Sequence, residues 1–285
     1  NGNAGNDRLF GGDGDDQING NDGDDQLFGE AGNDLLNGGS GINTFDEGPG
    51  SGGVVFAGTS GDDVIRVERR VIGGISYVVA KLNGQKSVQP YANGETIIVH
   101  GNSGNDKIVL ESSAGQAWSA EFRGGSGDDE LHGASRNDAL FGELDDDSLF
   151  GEGGNDLMVG GDGDDRLFAG SGLDLVIGGA GSDRIYGGSD EDLIVTGTTV
   201  FDSENARLQL LLAEWTAGYA YETRANNIFA GTGGVLGPSG VRLRKGLTVF
   251  NDGVEDKVFG NGDRELYFFD SLDNMEDRNA DEWAN

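Results

Sequence analysis

Residues 151–168 read GEGGNDLMV and then GGDGDDRLF. Each half is nine residues long, opens with glycine, and carries Asp at its sixth position (Asp156, Asp165) and an apolar residue at its eighth (Met158, Leu167). The same period extends to eight units over 124–195 and recurs as five units over 2–46. A fixed short period predicts a solenoid, because a single unit cannot bury its apolar residue alone.

Each position of the unit has a physical role. Position eight is apolar in all thirteen units, and position six is Asp in twelve of them, with Asn43 as the exception. Glycine dominates positions one and four, where a turn needs a positive φ or a close backbone approach. Each unit is therefore predicted to form a turn followed by a short strand. Two units would make one coil, with strands stacked at about 4.8 Å around a thin core of position-eight residues.

This regularity outweighs the composition, which by itself is typical of a disordered chain. Hydrophobic residues make up 35% of the sequence, and the formal net charge is -32. Low hydrophobicity with high net charge usually leaves a chain without a core. A disordered linker, however, has no reason to keep one apolar residue in every nine.

Stacked coils would place the position-six carboxylates in columns, two units apart. Asp16 would lie above Asp34 in the first array, and the second array would form the columns Asp129, Asp147, Asp165, Asp183 and Asp138, Asp156, Asp174, Asp192. Like charges about 4–5 Å apart repel by about 1 kcal/mol per pair even in water. A cation between successive turns would turn this repulsion into attraction. The turns offer only oxygen ligands and the chain has no Cys, and such ligand sets select Ca²⁺ over Zn²⁺ or Cu²⁺.

The units match the pattern G-G-x-G-x-D-x-U-x, and both arrays resemble the RTX, or hemolysin-type, calcium-binding nonapeptide repeats. The resemblance implies an all-β fold, a right-handed parallel β-roll or β-solenoid. It also implies multiple Ca²⁺ ions, each held between adjacent turns by Asp side chains and turn carbonyls.

The remaining sequence divides the chain into four segments. We predict a first nonapeptide β-roll at 1–46, a linker and wider β-solenoid segment at 47–123, a second β-roll at 124–196, and a helix-containing C-terminal cap at 197–285. The middle segment contains two isolated repeat-like units, GTSGDDVIR at 58–66 and GNSGNDKIV at 101–109. A small β-sandwich inserted between two rolls is the alternative for this segment.

The candidate calcium ligands follow from the repeats and the resemblance. The candidate carboxylates are Asp7, Asp16, Asp25, Asp34, Asp63, Asp106, Asp129, Asp138, Asp147, Asp156, Asp165, Asp174, Asp183 and Asp192. The candidate turn glycines are Gly5, Gly12, Gly14, Gly23, Gly32, Gly127, Gly154, Gly161, Gly163, Gly172, Gly179 and Gly181.

Some turns depart from the pattern, and calcium sites that use them are expected to be impaired. Arg136, Asp145 and Asp190 replace the position-four glycine, and Leu173 replaces the polar residue at position five. The guanidinium of Arg136 is a candidate to replace a cation outright.

Beyond 196 the pattern changes to helical spacing. We predict an amphipathic helix packed on the roll from the recurrence of Leu208, Leu211, Leu212, Trp215 and Tyr219. Asp202 or Ser203 would cap its N-terminus, and a second helix would run from Tyr221 to Ala230 and end at Gly231.

Past these helices, residues 247–271 are predicted to return to strand and turn. Within them, Asp256 and Val258 fall at positions six and eight of a degenerate repeat. The region 197–270 resembles the C-terminal region of large secreted bacterial β-roll proteins, which implies a cover for the solenoid end.

Several function classes are disfavoured. The charge argues against nucleic-acid binding, which needs Lys/Arg patches, and no run of about 18 apolar residues is present to span a membrane. The only histidines, His100 and His132, lie outside any zinc-protease pattern. We therefore expect no catalytic residues and no enzymatic activity; a glycosidase carboxylate pair in a solenoid groove is the remaining enzymatic alternative.

The sequence thus predicts a secreted or cell-surface, calcium-binding structural or adhesive protein. The alternative is the calcium-dependent C-terminal module of a larger secreted enzyme or toxin. Its expected partners are Ca²⁺ and either the chain itself, in head-to-tail or lateral assembly into filaments or a lattice, or cell-surface and matrix components.

Assembly is expected for two reasons. The first turn, starting at Gly2, would present an open β edge. Position nine would face outward in rows, because it points opposite to position eight. These rows are Phe10 and Phe28; His132, Phe150, Phe168 and Tyr186; and Phe141, Val159, Ile177 and Val195. Exposed apolar rows usually mark an interface, unless the helix and the middle segment cover them.

Overall fold

A computed structural model describes residues 1–14, 16–31, 35–37, 44–46, 54–72, 75–90, 96–111, 119–229, 249–250, 254–260, 266–268, 274–276 and 283–284. The chain forms two compact units, Asn1–Leu131 and His132–Asn285. The division into four segments predicted from the sequence stays a prediction.

The first unit is built almost entirely of short strands. These are β1 Asn3–Ala4, β2 Arg8–Asp13, β3 Gln17–Asn19, β4 Asn21–Asp22, β5 Gln26–Ala31, β6 Leu35–Asn37, β7 Thr44–Asp46, β8 Val54–Ala57, β9 Val64–Ile72, β10 Ile75–Leu82, β11 Gln85–Pro90, β12 Ile97–Ser103, β13 Lys107–Glu111, β14 Ala120–Ser126 and β15 Glu130–His132, the last of which spans the division between the units.

In the first array every strand pairs in parallel with the strand two repeat units away. Leu9 lies opposite Leu27 in the sheet β2-β5-β7, and Ile18 lies opposite Leu36 in β3-β6. The position-eight side chains Ile18, Leu27 and Leu36 form the buried core, with Leu9 packed against them. The prediction that two nonapeptides make one coil is confirmed here.

The segment 54–131 continues as a solenoid. β8, β12 and β14 pair in parallel, as do β9 and β13, so the parallel pairing favours the wider solenoid over the inserted sandwich. β10 and β11 extend the sheet in antiparallel fashion beyond β9. Asn83 and Gly84, with φ of 49° and 83°, join these two strands in a tight Asn-Gly turn of the kind that matches strand twist in hairpins.

The second unit contains further strands and two helices. These are β16 Ala139–Leu144, β17 Ser148–Phe150, β18 Leu157–Asp162, β19 Arg166–Ser171, β20 Leu175–Ala180, β21 Arg184–Ser189, β22 Leu193–Val195, β23 Thr198–Thr199, α1 Asn205–Trp215, α2 Tyr221–Phe229, β24 Val249–Phe250, β25 Lys257–Gly260, β26 Leu266–Phe268, β27 Asn274–Glu276 and β28 Trp283–Ala284.

Two parallel sheets enclose its core. We call the sheet β17-β19-β21-β25-β27 the aromatic sheet and the sheet β16-β18-β20-β22-β26-β28 the aliphatic sheet, after their outward position-nine side chains. Successive strands are in register at 18 residues, as with Leu157 opposite Leu175 and Leu167 opposite Ile185. Every position-eight residue from Leu131 to Ile194 is fully buried, which confirms the predicted core.

The helices cover the aliphatic sheet. Leu208, Leu211 and Trp215 of α1 share one buried cluster with the position-seven and position-nine residues of that sheet. Those sheet residues are Ala139, Phe141, Leu157, Val159, Leu175, Ile177, Leu193, Val195, Leu266 and Phe268. The prediction of a helix packed on the roll is therefore confirmed, and one of the outward rows is covered.

Details of the helix ends differ from the sequence prediction. Glu204 occupies the N-cap position without a side-chain cap, whereas Asp202 accepts hydrogen bonds from the backbone and hydroxyl of Thr199. Tyr219 lies beyond α1 and is 53% exposed, so its place on the buried helical face was wrong. The predicted end of α2 at Ala230 and Gly231 lies outside the described residues.

The roll resumes after the helices. Val258 is buried and lies opposite Ile185, so the predicted degenerate repeat at Asp256 and Val258 is confirmed. β26, β27 and β28 then extend both sheets. β26 lies within the predicted return to strand and turn, whereas β27 and β28 were not predicted. None of the described helices is long and apolar enough to cross a membrane.

Candidate calcium sites

The position-six aspartates lie at the turns, folded inward under the chain. They are buried at Asp25, Asp63, Asp106, Asp129, Asp138, Asp147, Asp156, Asp165, Asp174, Asp183 and Asp192, and also at Asp256 in the degenerate repeat. Asp7 and Asp16 are half-buried, and Asp34 lies outside the described residues. Burial of a whole series of carboxylates is unusual, because charged side chains are rarely buried unless paired or bound to metal.

One oxygen of each carboxylate forms a ladder between coils. The backbone N–H of Asp138 donates to Asp156 Oδ1 (2.8 Å), and that of Asp156 donates to Asp174 Oδ1 (2.7 Å). The same bond recurs in the other column and in the first unit, for the pairs Asp174–Asp192, Asp147–Asp165, Asp165–Asp183, Asp183–Asp256, Asp7–Asp25, Asp63–Asp106 and Asp106–Asp129. The predicted columns therefore form in the second unit, from Asp138 to Asp192 and from Asp147 to Asp183. The predicted pair of Asp16 and Asp34 stays a prediction, because Asp34 lies outside the described residues.

The second oxygen has no donor at several of these positions. Oδ2 is buried without a hydrogen-bond partner at Asp7, Asp106, Asp156, Asp165 and Asp174. In the coil of Asp156 it faces the position-one glycine of its own repeat. A Cβ on Gly151 would lie 2.6 Å from Asp156 Oδ2 and 2.5 Å from the carbonyl oxygen of Ala169 in the next coil. Oxygens of two successive coils thus border one space that only glycine leaves open.

Burial raises the pKa of these carboxyls. The pKa of Asp156 rises to about 9, chiefly because burial penalises its charge, and the neighbouring carboxylates of Asp174 and Asp138 raise it further. The pKa values of Asp106, Asp165 and Asp174 rise to about 7, again chiefly through burial. Without a cation these groups resist ionisation at neutral pH, so each column is a place where a cation is stabilising.

The donor set fits calcium. Among the described residues no three His, Asp or Glu side chains converge on one point, so a cation in these turns must take backbone carbonyls besides carboxylates. A set made only of carboxylate and carbonyl oxygens suits Ca²⁺, which accepts six to eight oxygen ligands in flexible geometry.

The candidate turn glycines adopt the conformation that such turns need. All of those described have positive φ; Gly32 lies outside the described residues. Gly163, with φ of 152°, also passes so close to the carbonyl of Asp145 in the previous coil that no side chain would fit. Because Asp145 and Asp190 keep positive φ values of 74° and 77° without being glycine, their turns retain the shape of the repeat at some cost in backbone strain.

Two of the residues that depart from the repeat pattern are placed differently from the calcium ligands. Arg136 is exposed and forms no ion pair with any described residue, so the suggestion that its guanidinium replaces a cation was wrong. Leu173 packs against the cluster between α1 and the aliphatic sheet, because a residue at that turn lies close to the helices.

Asp63 differs from the other candidates. The side-chain amide of Asn83 donates to its Oδ1 (2.6 Å), and the backbone N–H of Thr59 donates to its Oδ2. Protein donors thus engage both oxygens, whereas Asp106 in the next coil keeps a buried Oδ2 without a partner.

Position five carries a second ladder that the sequence reasoning missed. The backbone N–H of Asn155 donates to Asn137 Oδ1 (2.9 Å), and that of Asp164 donates to Asp146 Oδ1 (2.8 Å). These bonds run opposite to those of position six and lie on the exposed rim of the turn. The signal was available, since Asn or Asp fills position five in nine of the thirteen units.

Comparison with known families agrees with this geometry. The model of the RTX calcium-binding nonapeptide repeat matches the chain in four copies, at residues 1–27, 12–45, 123–158 and 159–194. A search of curated proteins found no match. The matched residues coincide with the two arrays, and repeats of this kind bind Ca²⁺ between turns. Residues 1–45 and 123–194 are therefore RTX-type calcium-binding nonapeptide repeats, folded as a parallel β-roll.

Proposed function

We propose that this chain acts outside the cell as a structural or adhesive protein that folds when it binds Ca²⁺. The observation that carries the proposal is the series of buried Asp Oδ2 atoms without donors, at Asp7, Asp106, Asp156, Asp165 and Asp174. Because such sites scarcely exist in an unfolded chain, their binding free energy becomes folding free energy.

The folding test is circular dichroism of the metal-stripped chain, followed by titration with CaCl₂, with MgCl₂ as the matched control. We expect a largely disordered spectrum that converts to β structure with Ca²⁺ but not with Mg²⁺, which demands a tighter octahedral ligand set. An unchanged β spectrum after removal of calcium would contradict the proposal.

The proposed extracellular location follows from the calcium affinity expected of such sites. Modules of this class bind Ca²⁺ with Kd of roughly 10⁻⁴–10⁻³ M outside cells, far above the calcium level of a cytoplasm. Fractionation of the native host into medium, surface and cytoplasm tests this. Native protein confined to the cytoplasm would exclude the extracellular role.

A structural role is supported by the packing and hydrogen bonds of the side chains that could otherwise act in catalysis. His132 stacks against Phe150 (4.4 Å between ring centroids), and the buried aspartates are engaged in the ladders. We propose on this basis that the chain is not an enzyme; hydrolysis of a panel of glycosides and peptides by the calcium-loaded chain would overturn this.

Self-assembly is the finer part of the proposal, and the first array supports it. Phe10 is 54% exposed and stacks on Phe28 at 4.8 Å, with the guanidinium of Arg8 over both rings. An exposed aromatic stack with a cation is typical of an interface core. Electron microscopy in millimolar Ca²⁺, beside light scattering of wild type and Phe10→Ser, tests it. A monodisperse monomer at high concentration would defeat assembly and leave the calcium β-roll intact.

A further inference from the structure

Two successive turns on one edge of the roll flank the candidate calcium site at Asp174. The first turn belongs to the unit 169–177 and the second to the unit 187–195. The backbone N–H of Asp174 donates to Asp192 Oδ1 (3.0 Å), and Asp174 Oδ2 is buried without a hydrogen-bond partner among the described residues. Because repeats of this kind bind Ca²⁺ between turns, calcium affinity at Asp174 depends on how these two turns are held together.

The ladder of position five changes at these two turns. On this edge the backbone N–H of Asn155 donates to Asn137 Oδ1 (2.9 Å), and that of Leu173 donates to Asn155 Oδ1 (2.9 Å). The next bond would need an acceptor on Leu173, whose side chain has none. The side chains therefore cannot continue the ladder from Leu173 to Glu191, and the rim of the Asp174 site needs another connection.

The two helices supply that connection. Leu173 packs against the cluster between α1 and the aliphatic sheet. Trp215, the last residue of α1, donates from Nε1 to the backbone carbonyl of Glu191 (2.9 Å). The guanidinium of Arg224 in α2 forms an ion pair with the Glu191 carboxylate. The position-five residues of both turns are thus held by the same pair of helices.

Arg224 is fixed in place by contacts with α1. Its side chain is only 4% exposed, and its Nη1 donates to the carbonyl oxygen of Trp215 (3.1 Å). The guanidinium also lies over the Trp215 ring, 4.6 Å from its centroid. A buried charge that loses its partner is strongly destabilising. Docking of the helices therefore requires Glu191, and Glu191 is in position only when its turn is ordered.

We propose that Arg224 is a positioning residue for calcium: through Glu191 it holds the turn 187–192 against the turn 169–174 and tightens calcium binding at Asp174. Coupling between two equilibria is reciprocal. Calcium at Asp174 therefore strengthens the docking of α1 and α2 by the same factor by which docking strengthens calcium binding. This coupling goes beyond the structural role proposed above. It rests on calcium binding by the repeats and is independent of where the chain acts.

The first experiment follows calcium release from the loaded full chain into a fluorescent chelator by stopped flow. The variants are Arg224→Gln, Asp174→Asn and the two combined. Arg207→Gln is the matched control, because Arg207 forms an exposed ion pair with Glu204 of the neighbouring turn of chain, and exposed pairs contribute little. Circular dichroism in Ca²⁺ checks that each variant keeps its β structure.

We expect Arg224→Gln to release one Ca²⁺ per chain about tenfold faster, the size of a lost hydrogen bond to a charged group. The other release phases and the Arg207→Gln control should match wild type. In the Asp174→Asn background the fast ion is already missing, so adding Arg224→Gln should change nothing further. Non-additivity of this kind is the mark of two residues that act on one site.

The second experiment tests the reverse direction through the fluorescence of Trp215 in millimolar Ca²⁺. The other two tryptophans, Trp118 and Trp283, are replaced by Phe. Asp174→Asn should increase the quenching of Trp215 by acrylamide, because the helices then dock less tightly. Asp165→Asn is the matched control: its Oδ2 is likewise buried without a donor, but its turn contributes no described residue to the cluster under the helices.

Three results would overturn the proposal. They are faster release of every ion in Arg224→Gln, which would mean a general loss of stability, a further acceleration when Arg224→Gln is added to Asp174→Asn, and equal quenching in Asp174→Asn and Asp165→Asn. If Arg224→Gln does not fold in Ca²⁺, Glu191→Gln removes the same ion pair while keeping the shape of the side chain, and the quenching experiment leaves the pair intact. Both experiments start from the calcium-loaded chain, so their outcome is distinguishable from β structure that persists without calcium and from a cytoplasmic location.

Discussion

At the scale of single residues, the sixth position of the repeat has two separable tasks. In Asp156, Oδ1 accepts the backbone N–H of Asp138 and thereby links two coils, whereas Oδ2 is buried without a donor. An aspartate is the shortest side chain that supplies both oxygens. The carboxylate is therefore a structural acceptor and a candidate metal ligand at once, and substitutions can separate these tasks.

Asp156→Asn should separate them. The amide oxygen can keep the bond to the Asp138 N–H, while the amide nitrogen replaces Oδ2 and no longer serves as a calcium ligand. We expect lower calcium stoichiometry and a higher calcium midpoint, with at least as much residual β structure as wild type in the absence of calcium. Calorimetric titration and circular dichroism measure these quantities.

Asp156→Ala provides the comparison, because it loses both the acceptor for the Asp138 N–H and the calcium ligand. It should lower β structure with and without calcium, and identical behaviour of the Asn and Ala variants would contradict the two separate tasks of Asp156.

Asp192→Ala should cost less calcium affinity than Asp156→Ala. The three atoms nearest to a Cβ built on Gly187, among the described residues, belong to Asp192 and Ile194. A carbonyl from the next coil, like that of Ala169 beside Asp156, is therefore not among them. Equal losses for Asp156→Ala and Asp192→Ala would count against the role of that carbonyl.

The first glycine of the repeat is required by packing. A Cβ on Gly151 would lie within 2.6 Å of Asp156 Oδ2 and the Ala169 carbonyl, so Gly151→Ala should displace both oxygens. We expect a loss of about 1–3 kcal/mol, as for overpacking in a core, together with weaker calcium binding. Gly218→Ala is the control, because nothing lies within 4 Å of its Cβ. Equal melting temperatures for the two variants would refute the prediction.

At the scale of strands and helices, the alternation between repeats determines which face is covered. Strands of the aliphatic sheet carry residues such as Leu157 and Val159 at positions seven and nine, whereas those of the aromatic sheet carry Arg166 and Phe168. The helices pack on the first kind of strand. Burying Arg166 under a helix would leave a charge without a partner, so the pattern of the strands specifies the docking face.

This alternation indicates how much of the fold the sequence could predict. The nine-residue period predicted the coils, the core and the Asp columns, because the spacing of stacked strands leaves little choice of register. Strands β27 and β28 were not predicted, since the sequence has no glycine after Gly262 to mark a turn, and they form by pairing with β25 and β26. The donor to Asp63 Oδ1 could not be predicted either, because it comes from a hairpin residue, Asn83, that is 20 positions away. The residues of the position-five ladder could be read from the sequence, but no hydrogen bonding was predicted from them.

Leu211 tests the docking of the helices. It is fully buried against the aliphatic sheet, whereas Leu210 on the same helix is 47% exposed. We expect Leu211→Ala to lower the free energy of unfolding in Ca²⁺ by about 2–5 kcal/mol. Leu210→Ala should change it by less than about 0.5 kcal/mol. Chemical denaturation of both variants would decide, and similar midpoints would mean that α1 does not dock as described.

At the scale of the whole molecule, the dominant fact is the excess of acidic groups. The net charge is -32, and in both units part of the negative charge belongs to buried aspartates. Self-repulsion of this size opposes a compact state. Protons and Ca²⁺ are the two agents that can neutralise buried carboxylates. The stability of the fold should therefore fall with rising pH when calcium is absent and rise with pH when calcium is present.

Without calcium, stability should fall as pH rises. The pKa values of Asp106, Asp165 and Asp174 rise to about 7 in the fold and that of Asp156 to about 9, against about 4 in an unfolded chain. The folded, calcium-free chain therefore holds more protons than the unfolded chain. Its extra stability is complete below the unfolded pKa and is lost as pH rises through the folded values.

With calcium the sign reverses, because the ligands must be ionised and binding releases protons. Calcium should be removed from the protein beforehand, because chelators fail in acid. The calcium-free chain should then show more β structure by circular dichroism at about pH 5 than at about pH 9, since more of its carboxyls are protonated at pH 5. The calcium midpoint should be higher at the acidic end. Asp156→Asn should lose the part of the calcium-free pH dependence nearest to pH 9, because it removes the carboxyl that titrates there. A calcium-free chain that gains stability toward alkaline pH would mean that the buried aspartates are ionised without a cation.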